Sequence, residues 1–134
     1  ASWYHMALDI TADVGMPIVA AQSGTVTKIS VGSWDGGFGN NVYIDNGAGM
    51  GSHYAYMSGV NVGIGQQVVA GRTVVGWVGM TGRTTGPHLH FEILRGGFTR
   101  EPALMPAIMS GLPRHYSDLS CRILSKTAIR VKIK

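Results

Sequence analysis

The stretch NVYIDNG, residues 41–47, predicts that the chain reverses there, and the stretch HYAYM, residues 53–57, follows shortly afterwards. Residues 41–45 are rich in branched and aromatic side chains, which favour a strand. Asn46–Gly47 is a strong signal for a tight hairpin turn, because both residues tolerate the positive φ angles that such a turn requires. Residues 53–57 are then predicted to be the returning strand. This hairpin indicates that β structure organises the fold.

Further strands are predicted on both sides of the hairpin, and no convincing amphipathic helix precedes residue 100. The predicted strands cover residues 7–10, 17–20, 24–31, 66–69, 74–79 and 88–94. In 24–31 the apolar residues alternate without keeping one register, which predicts a bulge. The fold class is therefore all-β, with mostly antiparallel sheets that form a groove and a short C-terminal helix or irregular tail. The helix is placed at 103–110, and the chain is divided into a domain over 1–105 and an extension over 106–134.

Composition narrows the class of protein further. The 134 residues include 20 glycines and a single cysteine, Cys121, which can form no internal disulfide. The net charge is +4, and much of it lies in the last stretch, where Tyr116 is the only aromatic residue. One aromatic residue is too few for a base-stacking platform, so no nucleic-acid partner is expected. No apolar run reaches the ~20 residues of a membrane span, and no signal peptide is visible, although the chain reads as a piece of a longer protein.

Two short patterns supply metal-binding side chains. His5 and Asp9 are four residues apart, and His88 and His90 are two apart. On strands these spacings place each pair on one face, so the two pairs can aim at one point if their strands are neighbours. Imidazoles and a carboxylate are the ligand types of catalytic zinc sites, whereas closed structural sites usually rely on several cysteines. Spacing alone allows both His88 and His90 as ligands.

The same residues resemble a known family, the M23 or lysostaphin-type zinc endopeptidases, over about residues 4–105. GPHLHFE, residues 86–92, is similar almost letter for letter to that family's His-x-His segment. HMALDI, residues 5–10, resembles its first motif, although Ala7 stands where the family usually has glycine. The segments 17–26 and 65–71 are also similar to it, but the second pattern recurs in other β folds.

The resemblance implies a division of labour among these residues. His5, Asp9 and His90 would bind Zn²⁺, and His88 would be the general acid or base. The implied reaction is zinc-assisted hydrolysis of peptide bonds in bacterial peptidoglycan stems or cross-links, outside the cell or in its envelope. The bond that is cleaved and the oligomeric state stay open.

Tyr56 departs from the family pattern, in which a Tyr-x-His supplies a second catalytic imidazole at this position. His53 lies three residues earlier and faces the opposite side on a regular strand, so it is interpreted as a surface or strand-edge histidine. Either Tyr56 donates its phenolic O–H to the transition state in place of an imidazole, or the domain is inactive and binds cell wall or regulates another hydrolase. A phage tail protein is considered as a carrier of either form, the active or the inactive one.

Other residues near the motifs are candidates for substrate contact. The resemblance places the loop that carries Trp34 and Phe38 at the border of the cleft, and Tyr4 precedes the first ligand. The alternative for Trp34 and Phe38 is an ordinary hairpin tip, and the alternative for Tyr4 is a packing role. A biotinyl- or lipoyl-type barrel is excluded, because such domains carry a modifiable lysine at a hairpin tip, and none occurs between Lys28 and Lys126.

Overall fold

The computed structural model describes residues 7–84, 86–95, 119–124 and 128–133. Within these ranges the strands are β1 Ala7–Thr11, β2 Pro17–Val19, β3 Gly24–Ser30, β4 Asn40–Gly47, β5 Met50–Val60, β6 Gln67–Val68, β7 Val74–Val78, β8 His88–Arg95, β9 Leu119–Leu124 and β10 Ala128–Ile133. A single 3-10 turn, Asp35–Gly37, interrupts the loop between β3 and β4. None of the described segments is a helix of the length and apolar character needed to cross a membrane.

The strands form one sheet with a branch. Its order is β6-β3-β4-β5-β7-β2-β10-β9, and β8 pairs with both β1 and β5. The described pairings are antiparallel except β10 with β2, so the predicted all-β, mostly antiparallel class is confirmed. The predicted bulge in β3 is present as a register shift between Val26 and Lys28.

The prediction of an irregular or helical tail is wrong for residues 119–124 and 128–133, which form an antiparallel hairpin. The physical reason is burial: Ile129 is fully buried and pairs with Ile18 of β2, so the hairpin extends the sheet. The helix predicted over 103–110 lies outside the described residues. The division of the chain at residue 105 stays a prediction.

The turn between β4 and β5 is also displaced from its predicted place. It lies at Ala48–Gly49, with φ angles of 52° and 75°, and Asn46–Gly47 still belongs to β4. Asn46 is held by its side chain, which donates to the carbonyl oxygen of Ser23 (3.0 Å). The Gly47 N–H donates to Oδ1 of Asp45 (2.9 Å), and the register shifts there. These contacts make Asn46–Gly47 a bulge and move the turn two residues onward.

The two faces of β8 are separated by strict alternation. Leu89 and Phe91 are fully buried in the apolar core, where Phe91 lies opposite Tyr54 of β5. Each such side chain contributes about 1.5–3 kcal/mol by leaving water. Because this apolar face is fixed in the core, His88, His90 and Glu92 must all project from the other face.

Tyr56 lies where β5 changes partners. Residues 50–55 of β5 pair with β8, and residues 57–60 pair with β7. Tyr56 itself has φ +62°, and its N–H donates to the carbonyl oxygen of Phe38 (3.0 Å). On a regular strand its side chain would share the core-facing side with Tyr54. The left-handed residue instead turns the phenol to the polar face of β8.

Candidate active site

One carboxylate of β1, that of Asp9, lies against the polar face of β8. The antiparallel register pairs Asp9 of β1 with His90. Oδ1 of Asp9 is 2.9 Å from Nδ1 of His90 and 3.7 Å from Nε2 of His88. The structure thus brings together two of the residues predicted as ligands and the residue predicted as general acid or base.

The orientation of His90 is fixed from its other side. Its Nε2 lies 2.9 Å from Oε1 of Glu92, which accepts a hydrogen bond from Nε2–H. In the tautomer that carries its proton on Nε2, this bond leaves the Nδ1 lone pair directed toward Asp9, whose Oδ1 lies 2.9 Å away. Histidines that bind metals usually donate their second ring N–H to a carboxylate in this way. His90 is therefore arranged as a ligand.

His88 is arranged differently. Its Nδ1–H donates to the carbonyl oxygen of Gly86 (2.9 Å), so the lone pair lies on Nε2, which faces Asp9. The side chain keeps 19% of its surface exposed, compared with 8% for His90. An accessible imidazole with a lone pair on the cleft side is suited to accept and return a proton.

Tyr56 packs against both histidines. Its ring centroid is 4.9 Å from that of His88 in an edge-on arrangement and 5.5 Å from that of His90. Burial raises the pKa of Tyr56 above its ordinary value of 10.0, and the negative charge of Asp9 raises it further, while Arg83 lowers it. The phenol therefore keeps its proton at neutral pH and is available as a neutral hydrogen-bond donor.

His53 is not the surface histidine that the sequence suggested. It is 1% exposed, and its strand register places it opposite Glu92. Its Nδ1 lies 3.4 Å from Oε1 of Glu92, and its ring stacks on Tyr43 with centroids 3.9 Å apart. The prediction compared His53 with Tyr56 on a regular strand, but the bulge at Tyr56 puts both side chains on the polar face of β8.

Sequence analysis also missed Glu92. Its side chain follows His88 and His90 at the same spacing of two residues, so the alternation that grouped the histidines already included it. A glutamate after a His-x-His pair reads as an ordinary solvated charge, but here it is 1% exposed.

Two loops form the described rim of the site. Trp34 is 56% exposed, and the guanidinium of Arg83 lies 5.8 Å from its ring. The two loops come into contact at Gly39 and Gly82, where there is no room for a side chain, because a Cβ on Gly39 would lie 2.5 Å from the backbone nitrogen of Gly82. Phe38 is half-buried and lies against the imidazoles of His53 and His90.

The described donors fit part of a zinc site. Asp9 Oδ1 and His90 Nδ1 are 2.9 Å apart, which allows one ion to contact both, since Zn–N and Zn–O bonds are about 2.0–2.2 Å. His5 and Tyr4 lie outside the described residues. No group of three or more His, Cys, Asp or Glu side chains is arranged to hold a metal within the described part of the chain. His5 as the third ligand therefore stays a prediction.

Residues 3–102 match the family model of peptidase family M23. The chain belongs to this family. A curated M23-like relative, the peptidoglycan DD-endopeptidase ShyC of Vibrio cholerae, is 40% identical over 98 residues, which are 73% of this chain and 22% of that protein. The chain spans about a fifth of the length of the curated relatives it matches.

Solved structures show the same M23 architecture. The catalytic domain of the antimicrobial peptidase lysostaphin from Staphylococcus simulans is 32% identical, with a TM-score of 0.65 over 72% of this chain and 71% of that domain. A zinc-containing peptidase from Vibrio cholerae is 30% identical, with a TM-score of 0.63 over 69% of this chain and 28% of that protein.

Proposed function

We propose that this M23 domain is a zinc-dependent endopeptidase that hydrolyses peptide bonds in the stems or cross-links of bacterial peptidoglycan. The observation that carries the proposal is the Asp9–His90 pair at 2.9 Å, with His90 fixed from behind by Glu92 and with His88 beside it. The names of ShyC and of the zinc-containing peptidase support the substrate and the metal. Such a substrate places the protein outside the cell or in the cell envelope.

In this proposal His5, Asp9 and His90 hold the ion. When bound, Zn²⁺ polarises a scissile carbonyl and makes water more acidic. His88 takes a proton from the attacking water at Nε2, the nitrogen that its bond to the Gly86 carbonyl leaves unprotonated. The same atom then returns the proton to the departing amine.

Tyr56 completes the arrangement as a donor. Its phenol lies beside His88 and keeps its proton, so it can donate to the carbonyl oxygen as negative charge develops there. One such preorganised donor is worth about 10²–10³ in rate. In this proposal the phenol of Tyr56 has the role that an imidazole usually has at this position in the family.

The direct test is hydrolysis by the purified, zinc-loaded chain. Peptidoglycan suspensions are expected to lose turbidity, and the loss should stop when a chelator removes the metal. Digestion of defined muropeptides followed by mass spectrometry would then identify the cleaved bond. Zinc binding without any new peptide termini in a panel of glycyl-glycine, D-alanyl and diaminopimelate linkages would overturn the enzymatic assignment.

A second candidate function is a non-catalytic module that binds cell wall or regulates another hydrolase, including a module carried on a phage tail protein. The observation that favours it is Tyr56 itself, which stands in the place of a catalytic imidazole. The Tyr56→His variant separates the two candidates. If the wild type is inert and only Tyr56→His cleaves peptides, the binding module is correct.

Replacing Tyr56 by phenylalanine tests the donor role with little change in shape. We expect kcat to fall by up to about 10²–10³-fold while zinc affinity stays unchanged, because only the O–H is removed. The measurement is a pair of rates on one defined peptide substrate. Equal rates for the wild type and Tyr56→Phe would exclude the donor role.

Trp34 is proposed to contact the substrate from the rim, with Phe38 beneath the site and Tyr4 next to the first ligand. We expect Trp34→Ala to raise KM about five- to tenfold, with kcat within about twofold, because a contact far from the reacting bond contributes equally to ground and transition states. The control is Ile64→Ala, which removes another exposed side chain (70%) from a different loop. An unchanged KM in Trp34→Ala would remove Trp34 from the substrate-binding surface.

A further inference from the structure

We propose that Glu92 is a positioning residue for the metal site, and that His53 and Asn41 hold Glu92 in place from behind. This inference rests on the proposed ligand role of His90. Glu92 touches neither substrate nor metal in this arrangement. It acts by holding the imidazole of His90 so that Nδ1 faces Asp9.

One carboxylate oxygen of Glu92 is shared by two imidazoles. Oε1 of Glu92 lies 2.9 Å from Nε2 of His90 and 3.4 Å from Nδ1 of His53. Both contacts follow from the sheet, because His90 and Glu92 share a face of β8 and the register pairs His53 with Glu92. Two imidazoles from two strands thus converge on one buried oxygen.

Hydrogen bonds fix the orientation of the Asn41 side-chain amide. Its amide nitrogen donates to Oδ2 of Asp35 (2.7 Å) and to the carbonyl oxygen of Gly39 (2.8 Å). Its Oδ1 must therefore face His53, whose Nε2–H donates to it at 3.0 Å. His53 then donates to Glu92 as well only when Nδ1 also carries a proton, and the contact between them is in that case an ion pair. Side-chain hydrogen bonds from Asn41 and, to a smaller extent, from Ser30 hold the pKa of Asp35 below its ordinary value of 3.8. The hydrogen bonds that run from His53 through Asn41 therefore end on a charged carboxylate.

The imidazole ring of His53 is confined by two aromatic rings. His53 stacks on Tyr43 with an interplanar angle of 5°, and Phe38 packs nearly perpendicular to the His53 ring with centroids 4.6 Å apart. Asn41 is fully buried and Glu92 is 1% exposed, so neither side chain can exchange its partners for bulk water. The arrangement fixes the position of Glu92 through bonds that reach from the Asp35 loop to His90.

A purely structural role and a positioning role predict different results. Removing one member of a buried charged pair lowers the stability of the fold. A purely structural role of Glu92 therefore predicts a lower Tm of the metal-free protein with an unchanged zinc Kd. Loss of a carboxylate that orients a metal-binding histidine typically weakens metal affinity 10–100-fold. Zinc affinity and the stability of the metal-free protein therefore separate the two roles without any measurement of activity.

The experiment uses the full chain and measures the zinc Kd by competition with a chelator, together with Tm of the metal-free protein. Glu92→Leu is expected to weaken zinc binding by about 100-fold. Glu92→Gln keeps an acceptor but loses the charge, and is expected to weaken it by about tenfold. The control Ser52→Ala changes a buried polar residue on the opposite face of β5, one position from His53, and should leave the zinc Kd unchanged.

A double-mutant cycle tests the support from His53. His53→Leu alone should weaken zinc binding about threefold to tenfold, and this effect should disappear in the Glu92→Leu background, which offers no acceptor, because His53 acts through Glu92. Equal effects of His53→Leu in both backgrounds would overturn that part of the inference.

The outcomes distinguish the inference from the proposed function. If the wild type binds no zinc, the ligand set and hence the proposed function fail. If the wild type binds zinc and both Glu92 variants bind it within about twofold of the wild type, the positioning role is wrong. Should Glu92→Leu fail to fold, Glu92→Gln decides by the same criterion.

Discussion

Replacement of His90 by alanine is expected to abolish stoichiometric zinc binding and to reduce peptide hydrolysis to background. The variant loses Nδ1, which pairs with Asp9, and it leaves the buried Glu92 without its 2.9 Å hydrogen bond from Nε2. The buried carboxylate of Glu92 loses one of its two imidazole partners and keeps His53, which still costs stability, of the order of a few kcal/mol at most. The measurements are metal content after zinc loading, hydrolysis of one defined peptide and Tm.

The control for the His90→Ala experiment is Asp13→Asn, which removes an exposed carboxylate from the loop between β1 and β2. It should keep zinc and activity. Unaltered zinc content in folded His90→Ala would mean that the ion, if bound, sits elsewhere, and the assignment of Asp9 and His90 as a ligand pair would be wrong.

Replacement of His88 by alanine is expected to keep zinc and to lower kcat by about 10²–10⁴-fold, because general acid–base catalysis by a positioned imidazole is worth that much. The geometry supports this split between the two histidines: His88 is bonded to the Gly86 carbonyl through Nδ1, and its Nε2 lies 3.7 Å from Asp9. The zinc Kd of His88→Ala should stay within about threefold of the wild-type value.

Loss of zinc together with activity in His88→Ala would show that His88 is a ligand. The roles of His88 and His90 would then have to be exchanged or shared. Comparison of the two alanine variants under the same loading conditions makes the distinction independent of total activity.

The parts of the fold that follow local rules could be predicted from sequence. Alternation in residues 88–94 was sufficient to place His88 and His90 on one face, because the side-chain period of a strand is fixed by backbone geometry. The hairpin of β4 and β5 was predicted, but its turn was placed two residues too early, since the side-chain bond from Asn46 to Ser23 on a distant segment could not be foreseen.

The features that sequence could not give depend on contacts between distant segments. Nothing in YAYM indicates that Tyr56 adopts φ +62°, because a tyrosine has no intrinsic preference for that region. The conformation arises where β5 leaves β8 for β7. The rule for a regular strand does not include that bulge, so it placed His53 on the face opposite Tyr56. The buried contact between His53 and Glu92 could therefore not be predicted.

The bulge at Tyr56 also has an evolutionary consequence. The backbone at this position is held by the bond to Phe38 and by pairing on either side, not by the identity of the side chain. Histidine is among the residues that adopt left-handed backbone most readily, so it is compatible with the same conformation. Tyrosine and histidine codons differ only in their first base. A phenol and an imidazole at the centre of this site are therefore separated by one point mutation between two residues that are compatible with the same backbone conformation.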